Sequence, residues 1–246
     1  MYRYWFDNIK GITPVKKRIL YETFDNAENI YHAPESAIAK TVGIETEDII
    51  AITESRRQWS LEGAWTRLQE KGISLVTLED AEYPEKLKKI VAPPYALYYR
   101  GHLPRKEHKS VAIVGARGRS AYGSQVARAL AKRLAEADVD VISGMALRID
   151  TDGHMGAIDG SGATYAVLGC GVDICYPRSN RFLYEQIPER GGILSEFVPG
   201  TQPLPSLFPQ RNRSISGLSA YVVVIEARLK SGSLITAEYA MEQASE

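Results

Sequence analysis

The sequence predicts an α/β fold: a doubly wound, mainly parallel sheet joined to a small all-helical N-terminal domain. Three observations predict it. From about residue 71 onward, short β-branched runs alternate with helical stretches over short connections. The run Val111 to Val114 is apolar without interruption, as a strand covered on both faces must be. Residues 1–70 carry helical spacing instead. Parallel strands need crossovers, and right-handed ones place helices on both faces of the sheet.

In the N-terminal part, Pro14 suits a first helical turn, and Val15, Ile19, Leu20 and Phe24 recur near helical spacing behind it. Glu35 to Thr41 and Thr46 to Glu54 bracket a turn at Gly43. The pair around TVGIE faintly matches a helix-hairpin-helix, which grips phosphates by backbone N–H groups. One glycine in a weakly amphipathic setting favours plain helix packing. Composition changes near Lys71, which divides a helical domain over residues 1–70 from an α/β domain over residues 71–246.

A strand is expected at Ile73 to Leu78, a short helix at Tyr83 to Ile90 and an extended segment from Pro93 to Arg100. Further strands follow at Val111 to Val114, Asp140 to Ser143, Thr164 to Leu168, Gly192 to Glu196 and Tyr221 to Glu226. Helices fill the gaps at Tyr122 to Ala137, Ile149 to Asp159, Asn180 to Pro188, Arg213 to Leu218 and Ser233 to Ala244. The chain stops where a βα repeat leads to another strand, so truncation is expected.

Composition narrows the function. The 246 residues are 44% apolar, and thirty basic residues balance thirty acidic ones, so any basic surface is local. Arg100 to Arg133 holds nine Lys or Arg against the single acid Glu107, which puts the expected positive field around Gly115. Two cysteines, Cys170 and Cys175, support neither a disulfide framework nor a zinc site. No apolar run approaches the roughly 18 residues of a spanning helix, and MYRYWFDNIK lacks a signal-peptide core. A cytoplasmic protein away from membranes is expected.

The ligand edge of such a sheet lies at the strands' C-terminal ends, where Gly115, Gly144, Gly169, Glu196 and Glu226 fall. In SVAIVGARGRSAYG, a strand runs into a glycine-punctuated, arginine-bearing loop at the mouth of a helix, whose positive end favours anions. The stretch Phe208 to Ala240 repeats the design. The glycines do not match GxGxxG, no acid ends the second strand to hold a ribose, and no GxxxxGK[ST] occurs. These absences argue against a nicotinamide enzyme and a P-loop triphosphatase.

What remains is Gly115, Arg117, Ser143, Gly144, Arg178, Arg211, Asn212, Arg213, Lys230, Ser231, Gly232 and Ser233, a set suited to phosphate oxygens. Any one arginine could be a solvated loop charge; five basic residues at one edge favour a shared anion site. No metal or cofactor is called for. Asp150 and His154, four apart, are read as a helix-start residue and its neighbour rather than a catalytic dyad. Glu196 and Glu226 are read as acids that orient arginines. Tyr98, Tyr99 and Tyr122 could stack on bases, with core packing as the default.

The segments VAIVGARGRSAYG, VISGMALRID, GHMGAI, GATYAVLGCGVDICYPRSN, GGILSEF, FPQRNRSISGLS and KSGSLITAEYA, in that order, resemble the DNA-processing protein A family (DprA, also called Smf). The resemblance covers about Ile73 to Ala244, and residues 1–70 fit the family's SAM-like helical domain only loosely. It implies a Rossmann-like, dimeric, non-enzymatic protein that binds and protects incoming single-stranded DNA and loads RecA in natural transformation. It places DNA contacts on the twelve residues above, with Arg119 and Arg148 as additional candidates. A LOG-like nucleotide phosphoribohydrolase is the alternative, weakened because KSGSLITAEYA lacks that family's double glycine. By that resemblance, Arg148 stands where the family usually has glycine. Either the backbone there keeps positive φ and Arg148→Gly stabilises, or it is ordinary and the guanidinium reaches DNA; the second is expected.

Overall fold

The computed structural model describes residues 1–106, 108–116, 120–227 and 231–244, in two compact units. The first comprises Met1–Tyr83 and Pro94–Leu97. It holds helices α1 (Tyr2–Asp7), α2 (Pro14–Phe24), α3 (Ala27–His32), α4 (Glu35–Ile38), α5 (Thr46–Gln58) and α6 (Leu61–Glu70), then strand β1 (Ser74–Thr77). The unit thus reaches past residue 70 and includes a strand.

Helix α2 begins as its sequence suggests: Pro14 occupies the first turn and Thr13 accepts a hydrogen bond from the Lys16 amide. Trp5, Phe6, Leu20, Ile30 and Ile52 are fully buried in this unit. The turn between α4 and α5 leaves Val42 exposed and Gly43 at φ +88°. Glu45, Glu47 and Asp48 then crowd the start of α5. Lys16 pairs with Glu45 and Asp48, so the start of α5 keeps a net negative charge unsuited to a phosphate backbone, in keeping with plain helix packing.

The second unit comprises Pro84–Pro93 and Tyr98–Glu246. Its elements are α7 (Glu85–Lys88), most of β2 (Ala96–Gly101), β3 (Ser110–Gly115), α8 (Ala121–Glu136), β4 (Asp140–Ser143), α9 (Ile149–Asp159), β5 (Thr164–Val167), α10 (Arg181–Gln186), β6 (Gly192–Ser195), α11 (Leu207–Gly217), β7 (Tyr221–Ile225) and α12 (Gly232–Ala244). The strands run in the order β1-β2-β6-β5-β4-β3-β7. Pairings β3–β4, β4–β5, β5–β6 and β3–β7 are parallel, whereas β2 runs antiparallel to β6. Successive strands step away from β3 as far as β6, and the chain then returns to place β7 on β3's other side. This reversal opens the crevice at the carboxyl ends of β3 and β7, where an open α/β sheet binds ligands.

Val111, Ile113, Val141, Ile149 and Ile225 pack with Ala127, Ala131 and Ala135 of α8. The alanines recur every fourth residue, so α8 offers a smooth stripe to its neighbours. One element departs from expectation. Helix α11 begins at Leu207, six residues before the expected Arg213, so FPQRNR lies on a helix rather than in a loop. Pro209 is tolerated there because the first-turn amides of a helix have no carbonyl to bond.

Candidate functional site

The carboxyl edge of the sheet is organised around Arg211. It projects from the middle of α11 and is 5% exposed. Its Nη1 donates to the carbonyls of Gly144, at 2.8 Å, and Val167, while Nε donates to Asn212 Oδ1 at 3.2 Å. Gly144 has to be glycine, because a Cβ there would lie 2.6 Å from the guanidinium. Helix α11 is thereby fastened to the ends of β4 and β5. Arg211 serves the fold and is not open to a ligand.

Beneath it lie Asp150 and His154. Asp150 Oδ2 accepts from the amides of Gly144 (3.1 Å) and Ala146 (3.2 Å). Burial pushes its carboxyl up to about 6, against the opposing pull of Arg211 and those amides. His154 is fully buried, with Nδ1 2.7 Å from Thr164 Oγ1. Thr164 donates its own proton to the Val141 carbonyl, so its oxygen accepts from His154 Nδ1–H. Burial and then the Arg211 charge hold His154 down at about 3. The imidazole is neutral and enclosed, so the pair is structural.

Asn180 draws two further segments together. Its side-chain amide donates to the Met145 carbonyl and the Thr151 hydroxyl, both at 2.9 Å, which ties the β4–α9 loop to the segment carrying Arg178. Tyr176, 44% exposed, pairs with Phe208 at 5.5 Å between ring centroids and 33° between planes. Arg178 is exposed, and among the described residues its side chain makes no ion pair or hydrogen bond. An open arginine beside a half-open ring pair is a chemistry that suits nucleic acid. Sequence reasoning passed over Tyr176 and Phe208, because buried packing is the default for aromatic residues; the Tyr-Pro and Phe-Pro pairs flanking the basic residues were the available signal.

The first glycine turn is arranged differently from its expected form. Glu226, at φ +55°, places its carboxylate at the start of α8, accepting from the Ser120 amide at 2.6 Å and from the Ser120 hydroxyl. Ser120 Oγ also caps the helix by accepting from the Gly123 amide at 3.0 Å. The protein's own carboxylate thus occupies the positive end expected to face a ligand. Gly115 is packed rather than open: a Cβ would strike the Ile225 carbonyl and lie 2.6 Å from Ile149. Arg117, Arg119 and Lys230 lie outside the described residues.

The remaining candidates divide. Ser143 is fully buried and donates to the Ile113 carbonyl at 2.6 Å. Arg213 is held by Glu196 and the Ala92 carbonyl, so Glu196 orients an arginine as expected. Asn212 donates to the Gly232 carbonyl at 3.1 Å, joining α11 to the start of α12. There Ser231 and Ser233 share a hydroxyl contact of 2.6 Å, and Gly232 is exposed with open space beside it. Tyr98 is fully buried and cannot stack on a base, whereas Tyr122 is exposed.

The expected basic field is partly neutralised: Arg105, Arg128, Lys132 and Arg133 each lie within ion-pair distance of an acid, the last two sharing Glu136. Burial pushes Cys170 up to about 11, as for an inert core thiol. Among the described residues, no cluster of three or more His, Cys, Asp or Glu could hold a metal, and no helix is long and apolar enough to cross a membrane.

Residues 74–246 match the DNA recombination-mediator protein A family. The chain belongs to this family. It is 38% identical over 245 residues to Protein Smf of Synechocystis, covering 97% of this chain and 62% of that protein. It is 42% identical over 174 residues to the DNA processing protein DprA of Streptococcus pneumoniae, covering 71% and 61%. The chain therefore spans about three-fifths of the length of these relatives. The X-ray structure of the S. pneumoniae DprA superposes with a TM-score of 0.84 at 33% identity, covering 99% of this chain and 83% of that one. A DprA from Helicobacter pylori, whose structure concerns its binding of single-stranded DNA, superposes at 0.62 with 31% identity, covering 71% and 79%.

The Arg211 anchor predicts that Arg211→Met, which leaves two buried carbonyls without their donor, lowers stability by about 3 kcal/mol. Urea denaturation checks this, and a loss under about 1 kcal/mol contradicts it. The Asp150–His154 pair sets a pH dependence. His154 is depressed from 6.5 to about 3, so its contribution is complete above pH 6.5 and lost as pH falls. Asp150 is raised from 3.8 to about 6, so it adds stability as pH falls through 6. Between pH 7.5 and pH 5 the His154 loss is about 2 kcal/mol and the Asp150 gain about 1.4 kcal/mol. Relative to the parent, His154→Gln should therefore gain about 2 kcal/mol over that interval. A pH-independent difference in urea stability between the two contradicts it.

Proposed function

We propose that the protein binds single-stranded DNA at the carboxyl edge of its α/β unit and passes it to the recombinase RecA during natural transformation. Arg178 carries the proposal: it is an exposed charge with no ion pair among the described residues, on an edge where Arg211 and Arg213 are committed to the protein itself. Arg178 meets phosphate oxygens, and the exposed backbone at Gly232 is open to one. The rings of Tyr176 and Phe208 offer a surface for an unstacked base. Arg117, Arg119 and Lys230 join the site on the strength of their motifs. The single-strand binding described for the H. pylori relative supports the same partner.

In this role the protein is non-enzymatic, cytoplasmic and homodimeric. The enclosure of His154 and its bond to Thr164 favour binding over hydrolysis, because the one histidine near a carboxylate at this edge is held out of reach of substrate.

The grip is electrostatic and indifferent to sequence. Fluorescence anisotropy with oligo-dT should give a slope of log affinity against log salt of roughly −2 to −4, at about −0.7 per neutralised phosphate. Arg178→Ala should make the slope about 0.7 less negative and leave the melting temperature unchanged. A flat salt dependence, or release of base from nucleoside monophosphates, contradicts the proposal.

A further inference from the structure

Arg148 stands where three local effects oppose an arginine. It is the residue from which α9 starts, its carbonyl accepting from the Asp152 amide at 2.9 Å. Its φ of +84° and ψ of −115° belong to a region that glycine enters freely and other residues do not. The expected ordinary backbone at this position is therefore not what the chain adopts. Its side chain makes no capping bond, and a cap of this helix calls for the short oxygen of Ser, Thr, Asp or Asn. Its positive charge also stands at the helix's positive end.

Nothing among the described residues offsets these effects. Arg148 is exposed, and among the described residues its guanidinium has no ion pair, hydrogen bond or ring contact. The two acids of the first turn do not serve it: Asp150 faces the Gly144 and Ala146 amides, and Asp152 is buried. Its loop is fixed in place, because Asn180 holds Met145 and Thr151 on either side of it. The same Asn180 lies two residues beyond Arg178, so two open arginines leave segments that are tied together.

We infer that Arg148 is a second phosphate contact for single-stranded DNA, added beside Arg178 on a backbone shaped for glycine. The inference rests on the DNA-binding proposal above. It is tested with Arg148→Gly, Arg148→Lys and Arg178→Ala, measuring thermal melting and oligo-dT affinity across salt. Arg148→Gly should melt a few degrees higher yet bind about three- to tenfold more weakly, with a salt slope about 0.7 less negative. Arg148→Lys, which keeps charge and backbone shape, should keep the parent's melting point and most of its affinity. If Arg148→Gly binds as tightly as the parent while Arg178→Ala weakens, the inference fails and DNA binding at this edge stands. If the parent itself shows no salt-dependent binding, both fail.

Discussion

A buried guanidinium holds the carboxyl edge of this sheet together. The buried carbonyls of Gly144, just past β4, and Val167, which ends β5, need a donor in an enclosed crevice. Arg211 supplies it from α11. Its position fixes the start of α11, which brings Phe208 to Tyr176, and the absence of a side chain at Gly144 leaves room for it. Its charge also reaches Asp150 and His154, lowering the proton affinity of both. A lysine could not fill this place equally well, since a single ammonium lacks the planar fork of donors.

Once Arg211 is committed inward, the edge keeps few open charges among its described residues. Arg213 neutralises Glu196, and Glu226 neutralises the start of α8. Two open arginines among the described residues, Arg148 and Arg178, stand on short loops whose backbone is pinned by Asn180. Pinning lowers the entropy lost when a ligand is gripped. A sparse set of fixed charges is also well matched to a flexible strand, which can bring its phosphates to them.

Much of this was legible in the residues. The apolar run at Val111 and the regular βα alternation place the parallel sheet, because only burial on both faces explains strands without polar alternation. The edge itself followed from strand direction. The division of labour among its residues did not. Arg211, Arg213 and Arg178 look alike in sequence, and what separates them is whether a carbonyl or carboxylate lies within reach, a tertiary fact. Ser143 was misleading for the same reason: a serine at a strand end can face a ligand or, as here, the Ile113 carbonyl. The start of α11 lies six residues before its expected place, with Pro209 accommodated in the first turn. Glu226 was expected to orient arginine, and its bond to Ser120 depends on the register that brings β7 beside β3.

The central claim is that single-stranded DNA lies along the edge organised by Arg211. Photo-cross-linking of a 5-bromodeoxyuridine oligonucleotide to the whole chain, with the attached peptides identified by mass spectrometry, tests it most directly. Cross-links should fall in the segments around Arg148, Tyr176 to Arg178 and Phe208. Cross-links confined to residues 1–83 would contradict the account.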